Sequence, residues 1–239
     1  MAVGGYHRLD RFIAANSKWS RRDVRLLLGQ RRLWVNGAPA TDINQLVGPF
    51  DRIELDGQLL QDLQPIYLAL HKPAGIVSAT SDAEHRTVLD LLRESLAVDQ
   101  QPLSAVELQQ LHIVGRLDKQ STGLLLLTND SRWSASLMAP ESKVSKVYLV
   151  TLENPVSQDY VAAFAAGMYF PFEDITTQPA RLEILSEHQV RVTLTEGRYH
   201  QIKRMFGRFR NPVLRLHRIA IGDWQLDGLP EGQWRRIQP

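Results

Sequence analysis

The sequence predicts an α+β protein in which a small N-terminal module precedes a larger domain. Three observations predict it. Two short amphipathic helices and two strand-and-turn signals occupy the chain as far as Gly57. A polar stretch from Gln58 to Pro65 then carries no pattern beyond a few leucines, which is the composition of a connector. Beyond it, strand and helix patterns recur to the end, and the four consecutive leucines Leu124–Leu127 read as a short, fully buried strand. The division expected is a module over residues 1–59, a linker over 60–66 and a domain over 67–239.

The first helix begins at Arg8-Leu9, with Leu9, Phe12 and Ile13 on one face. Ser20 and Asp23 have capping-box spacing for a second helix. Its stripe is Val24, Leu27 and Leu28, and Gly29 marks its end. Arg21, Arg22 and Arg25 lie off that stripe, and Arg31 and Arg32 follow the glycine. Arg32–Gly37 reads as a strand entering an Asn-Gly turn, and Asp51–Leu55 as another entering Asp56-Gly57. In the larger domain a strand from Pro65 ends in the turn Lys72-Pro73-Ala74-Gly75. Thr87–Leu92 gives a short helix, and residues 93–110 read as an irregular connection. Ser131 is placed to cap a helix through Leu137, and Lys146–Val150 is the next strand. Val161–Gly167 is a helix ended by glycine, and Arg181–Leu185 with Val190–Thr195 forms a hairpin. A helix with Ile202 and Phe206 on one face follows, then a strand over Leu216–Gly222.

Composition narrows the function classes. Hydrophobic content of 44% and charged content of 23% are those of an ordinary globular protein, so neither disorder nor a membrane bundle is expected. The absence of cysteine excludes disulfides and thiolate metal sites. Apolar runs fall far short of the ~20 residues that span a bilayer. Met1–His7 has neither a signal core nor a transit-peptide composition, so a cytoplasmic protein without membrane contact is expected. The net charge of +2 says little, but its distribution says more. Residues 8–32 hold eight Lys/Arg against two acids, and residues 196–218 hold seven against one. Two concentrated basic segments on a nearly neutral chain suit a polyanion-binding protein.

The chemistry-bearing stretch is Gly115-Arg116-Leu117-Asp118, leading through Gly123 into the four leucines. It sets an acid and a guanidinium at the mouth of an apolar strand, between glycines that permit tight turns and close approach. Spacing alone favours a surface loop with a local ion pair, because ion pairs are common and catalytic carboxylates rare. His200 has no other His, Asp or Glu at metal-ligand spacing and reads as a structural hydrogen-bonding histidine. No Walker loop, dinucleotide fingerprint or metal cluster is present in the sequence.

The motif words shift that balance. Gly115-Arg116-Leu117-Asp118, Thr122-Gly123-Leu124-Leu125 and Thr128-Asn129-Asp130 together closely resemble the active-site motif of the RNA pseudouridine synthases, in the branch typified by the ribosomal small-subunit enzyme. Ser131 departs from that pattern, where a glycine often follows the Asn-Asp pair. Lys72-Pro73-Ala74-Gly75, Lys146-Val147-Tyr148 and Glu196-Gly197-Arg198-Tyr199-His200-Gln201-Ile202-Lys203-Arg204 are similar to further elements of the same family. Residues 7–55, with two helices, an arginine-bearing face and a Val-Asn-Gly hairpin, resemble the RNA-binding module first named after ribosomal protein S-four.

The resemblance implies a catalytic domain built on a large, mostly antiparallel sheet. It implies Asp118 as the catalytic carboxylate, Lys203 paired to it, Ile202 packed in the site, Tyr148 stacking on the target base, and Arg116 filling the vacated space or holding a phosphate. His217 and Arg218 are expected to be structural or RNA-facing. Arg8, Arg11, Arg21, Arg22, Arg25, Arg31 and Arg32 would bind RNA phosphates. The expected partner is ribosomal RNA or a ribosomal subunit assembly intermediate, with 16S RNA of the small subunit as target and 23S RNA as the alternative. The isomerisation gains and loses no atoms, so no metal and no nucleotide or redox cofactor is expected, and a monomer suffices. Two other classes compete. A non-catalytic assembly factor would not need Asp118, and a phosphate-ester enzyme would need a second carboxylate beside it, for which Asp130 is the only candidate.

Overall fold

The computed structural model describes residues 5–94 and 102–239. Internal contacts divide the chain into two compact units, Met1–Pro65 and Ile66–Pro239.

In the first unit, helices Leu9–Asn16 and Val24–Gly29 cover a four-stranded antiparallel sheet ordered Ala38–Pro39, Leu33–Val35, Ile53–Leu55, Gln58–Gln61. Leu9, Ile13, Val24 and Leu27 meet Leu33, Val35, Ile53 and Leu55 in one apolar core. Both hairpins turn on pairs with positive φ: Asn36 at 51° and Gly37 at 78°, Asp56 at 55° and Gly57 at 76°. That twist matches the twist of the strands it joins.

The second of these turns corrects the expected connector. A two-residue turn of this type commits the following residues to pairing, so Gln58–Gln61 becomes an edge strand against Ile53–Leu55. The unstructured connector shrinks to residues 62–65, and the boundary falls between Pro65 and Ile66. The cap at the second helix also differs. Asp23 is the N-cap, and it accepts hydrogen bonds from the Ser20 amide at 2.9 Å and hydroxyl at 2.6 Å, fastening the turn before the helix. The left-handed residue beyond the helix is Arg31, φ 54°, not Gly29.

The second unit is built on a nine-stranded sheet. Its main path runs Arg181–Ser186, Gln189–Leu194, Lys146–Leu152, Val213–Ile221, Thr122–Thr128, Tyr67–Lys72, Trp234–Arg236. His112–Val114 adds to Thr122–Thr128, and Trp224–Gln225 to Val213–Ile221. Among the described residues the pairings are antiparallel except one. Thr122–Thr128 runs parallel to Val213–Ile221, with His217 opposite Thr122 and Arg218 opposite Gly123.

The run of leucines follows from burial on both faces. Leu125 and Leu127 join Leu68, Leu70, Tyr148, Val192 and the helix residues Phe164, Ile202 and Phe206 on one side. Leu124 and Leu126 pack on the other with Ala69, Val114, Leu137 and Ile221. A strand covered on both faces has no polar alternation to display.

The helices also depart from expectation: the one expected over Val161–Gly167 runs Gln158–Ala166. Asp130, not Ser131, caps the helix Ser131–Met138 by accepting from the amides of Arg132 and Trp133. Within the expected irregular connection, Ala105–Gln110 is a helix opened by a full Ser104/Glu107 capping box, a signal present in the sequence. Residues 95–101 of that connection lie outside the described residues.

Candidate active site

Asp118 sits in the loop that feeds the leucine strand, and that loop is tied at almost every peptide. Ser78 Oγ donates to the Leu117 carbonyl at 2.7 Å and accepts from the Leu117 amide at 3.1 Å. The Ser121 amide donates to the Asp118 carbonyl at 3.0 Å, and the Gly75 amide to the Lys119 carbonyl at 2.8 Å. The Lys72 ammonium, buried, donates to the carbonyls of Pro73, Lys119 and Ser121 at 2.9, 3.2 and 2.8 Å. Burial pushes its pKa down to about 8, against the opposing pull of Asp118. Arg218, also buried, donates from Nη2 to Gly115 at 2.8 Å, from Nη1 to Arg116 at 3.3 Å and from Nε to Leu124 at 2.8 Å. The Lys-Pro-x-Gly turn and the last long strand thus hold the loop from opposite sides. Arg218 is structural, one of the two roles left open for it.

Both carboxylate oxygens of Asp118 are engaged. Lys203 Nζ donates to Oδ2 at 2.7 Å, and His200 Nε2 lies 3.2 Å from Oδ1. His200 is the N-cap of the helix Gln201–Gly207, with φ 47°, and Lys203 lies in its first turn, so the start of one helix brings both to one partner. The helix Gln201–Gly207 buries Ile202, Met205 and Phe206 against the sheet. Its start is fastened by Gln201, whose Oε1 accepts from the Arg198 amide at 3.1 Å and whose Nε2 donates to Glu196 at 2.6 Å. A carboxylate has about four acceptor positions, so two remain for a substrate.

His200 has a partner that the sequence does not show. It reads as a structural hydrogen-bonding histidine because no acid stands at ligand spacing along the chain, and Asp118 arrives from 82 positions away. The available signal was its three-residue spacing from Lys203. Asp130 is the opposite case. It lies beyond the far end of the strand Thr122–Thr128, roughly 20 Å of extended chain from Asp118. There it accepts from the Tyr67 hydroxyl at 2.9 Å and caps a helix, so it supplies no second carboxylate. Among the described residues no group of three or more His, Asp or Glu is placed to hold a metal ion.

A hollow of about 80 Å³ adjoins Asp118, bordered by Arg116, Ser121, Tyr148, Ile202 and Leu216. Tyr148 is mostly buried there, with the Arg218 guanidinium 6.0 Å from its ring centre. The exposed Arg116 guanidinium makes no ion pair or hydrogen bond among the described residues. Ser121 is 2% exposed, and its hydroxyl has no partner among the described residues. Ser121→Ala is therefore expected to leave stability unchanged or to raise it by up to about 1 kcal/mol. Urea melts of the two proteins test this, and a loss of about 1 kcal/mol would assign the hydroxyl a structural bond.

In the first unit the seven arginines separate into two groups. Arg8 and Arg21 grip the buried Asp10 at 2.9 and 3.3 Å. Burial alone would raise the Asp10 carboxyl, but the Arg8 contacts and further hydrogen bonds outweigh it and hold the pKa below its ordinary value. Arg32 pairs with Asp56 and lies over the Trp19 ring. Arg11, Arg22, Arg25 and Arg31 are exposed and have no ion-pair partner among the described residues. Arg22 and Arg25 border one surface groove, and Arg25 and Arg31 a second.

The RNA pseudouridylate synthase family model matches residues 66–207, which carry six of the nine strands of the sheet and the Asp118 cluster, and the S4 domain model matches residues 7–53. The chain belongs to the RNA pseudouridylate synthases, enzymes that isomerise uridine in RNA. The ribosomal small subunit pseudouridine synthase A of Pseudomonas aeruginosa (strain PAO1) is 52% identical to it over 232 residues, 96% of each chain. The protein of the same name from Escherichia coli (strain K12) is 40% identical, again over 96% of each chain. A crystal structure of a pseudouridylate synthase, 36% identical, matches with a TM-score of 0.66 over 97% of this chain and 96% of its own.

Proposed function

We propose that this enzyme converts one uridine of small-subunit ribosomal RNA to pseudouridine, with Asp118 as the reacting carboxylate. The observation that carries the site assignment is the clamp of Lys203 and His200 on the two oxygens of Asp118, at the edge of an aromatic-lined hollow. The choice of small-subunit RNA rests on the names of the relatives that match end to end.

The reaction breaks the bond between N1 of uracil and C1′ of ribose, turns the base, and joins C5 to C1′. The proton on C5 is lost and N1 ends protonated, so the balance needs no oxidant, metal or nucleotide. Asp118 attacks as a nucleophile or takes a proton from the sugar, and either role requires an ionised, oriented carboxylate. Lys203 and His200, one on each oxygen, fix its orientation. The uridine must leave its stack to reach Asp118, and Tyr148 with Ile202 receives the flipped base. Arg116, with no internal partner, holds a backbone phosphate or fills the space that the base vacates. A monomer is the proposed state, and a cytoplasmic location follows from the proposed substrate.

The free arginines of the first unit anchor the RNA, while Arg8, Arg21 and Arg32 serve first as internal partners. Replacing Arg22 and Arg25 together by alanine is expected to reduce the slope of log affinity against log salt by about 1.4–1.8, from about 0.7–0.9 per phosphate contact. The melting temperature should not change. Arg8→Ala should instead destabilise the unit, because Asp10 loses its main partner. Filter binding across a salt series checks this, and an unchanged slope would remove these two arginines from the interface. The substrate itself is tested by mapping pseudouridine in ribosomal RNAs treated with the purified enzyme. Modification confined to large-subunit or transfer RNA overturns the small-subunit reading.

A further inference from the structure

We infer that Tyr199, backed by His200, is a stacking shelf for a nucleotide next to the flipped uridine. The inference rests on the proposed uridine-flipping reaction and adds to it a second nucleotide position. Tyr199 is 78% exposed, yet its ring is not loose. It lies on the His200 ring with centroids 3.9 Å apart and planes 19° from parallel. One face of Tyr199 is therefore covered and the other is open.

His200 is held from two directions. Its backbone is in the left-handed region, φ 47°, at the start of the helix Gln201–Gly207, and its Nε2 reaches Asp118. The shelf is thus fixed to the reacting carboxylate by a single residue. It borders a cleft of about 570 Å³ that also takes in Asp118, Tyr148, Arg116 and Lys146.

The two aromatics of this cleft differ in a way that assigns them different nucleotides. Tyr148 is buried and belongs to the inner hollow, where the target base enters. Tyr199 does not line that hollow and stands exposed at the rim of the cleft. Flipping a nucleotide strips its neighbours of a stacking partner, and that loss is part of the cost of flipping. An open aromatic face at the rim offers a neighbouring base a replacement. Every base has a π-face, so such a contact supports placement without demanding a particular base. The Arg198 guanidinium beside it is tied to Glu196 at 2.9 Å, which leaves the ring as the group presented outward.

The test is a cycle that crosses Tyr199→Ala with abasic substitution of the nucleotide on either side of the converted uridine. It is read as binding isotherms on a 16S ribosomal RNA fragment. Tyr199→Ala should weaken binding of intact RNA by roughly 5- to 100-fold. Tyr199→Phe and Tyr199→Trp should retain most of the affinity, since the ring face is what is used. One of the two abasic fragments should bind the wild type more weakly and bind Tyr199→Ala with no further loss. Melting temperatures should match throughout, because the ring is exposed. Additive losses at both flanking positions, or unchanged affinity in Tyr199→Ala, overturn the shelf. Wild-type conversion of the intact fragment is scored separately, so failure of the reaction assignment is seen apart from failure of the shelf.

Discussion

Asp118→Asn is expected to abolish conversion while leaving RNA binding largely intact. The amide keeps the shape of the carboxylate but is neither nucleophile nor base at neutral pH. Its position in the tied loop should hold, because Ser78, Lys72, Gly75 and Arg218 grip the backbone and not the Asp118 side chain. Lys203 loses its charged partner, but its side chain is 35% exposed, so water takes over part of the contact and the stability cost is about 1 kcal/mol or less. The free arginines of the first unit are untouched, and losing a negative charge beside RNA should help binding slightly if it acts at all. Single-turnover conversion of a labelled ribosomal RNA fragment, beside an isotherm on the same fragment, is the measurement. Ordinary conversion by the variant would end the catalytic assignment. Loss of binding together with activity would favour an RNA-binding assembly role.

The largest structural effect is expected from Gly123→Ala. Gly123 has φ 109°, where an L side chain is strained. A Cβ there would stand 2.2 Å from the Arg218 carbonyl oxygen and 2.6 Å from its amide nitrogen, both backbone atoms. The only relief is to separate Thr122–Thr128 from Val213–Ile221 at their one parallel pairing, which joins the two parts of the sheet. Strain and overpacking together come to roughly 2–5 kcal/mol. For a unit of this size that lowers the melting temperature by about 5–15 °C.

Activity should fall with it, since displacing Arg218 releases the carbonyls of Gly115 and Arg116 just ahead of Asp118. Gly75→Ala is the control, with positive φ but open space where the Cβ would lie, and should cost only about 1 kcal/mol. Scanning calorimetry decides between them. Equal melting temperatures for the two variants would refute the close-approach argument.

Much of this molecule is local in origin. The four leucines, the Asn36-Gly37 and Asp56-Gly57 turns and the helix of Ile202 and Phe206 each follow from a pattern a few residues long, because side-chain period and turn dihedrals are set by neighbours. Asp118, Lys203 and Tyr148 were legible as motif words. Local patterns mislead where two of them compete, as at Gln58–Gln61, where the turn outweighs a patternless composition, and at Asp130, which takes the cap in place of Ser131.

What no local pattern contains is which distant groups meet. The parallel pairing of Thr122–Thr128 with Val213–Ile221, the contact of His200 with Asp118, the grip of Ser78 on Leu117 and the burial of Arg218 against three carbonyls depend on how distant segments pack. A hydroxyl or guanidinium satisfies whichever backbone groups the packed strands leave open, and its residue type is the same wherever those groups lie. The sequence by itself determined the elements and the residue types of the chemistry. Only the tertiary structure decided which of them surround the carboxylate, because that is settled by pairings between segments far apart in the chain, Gly115 and Arg218 among them.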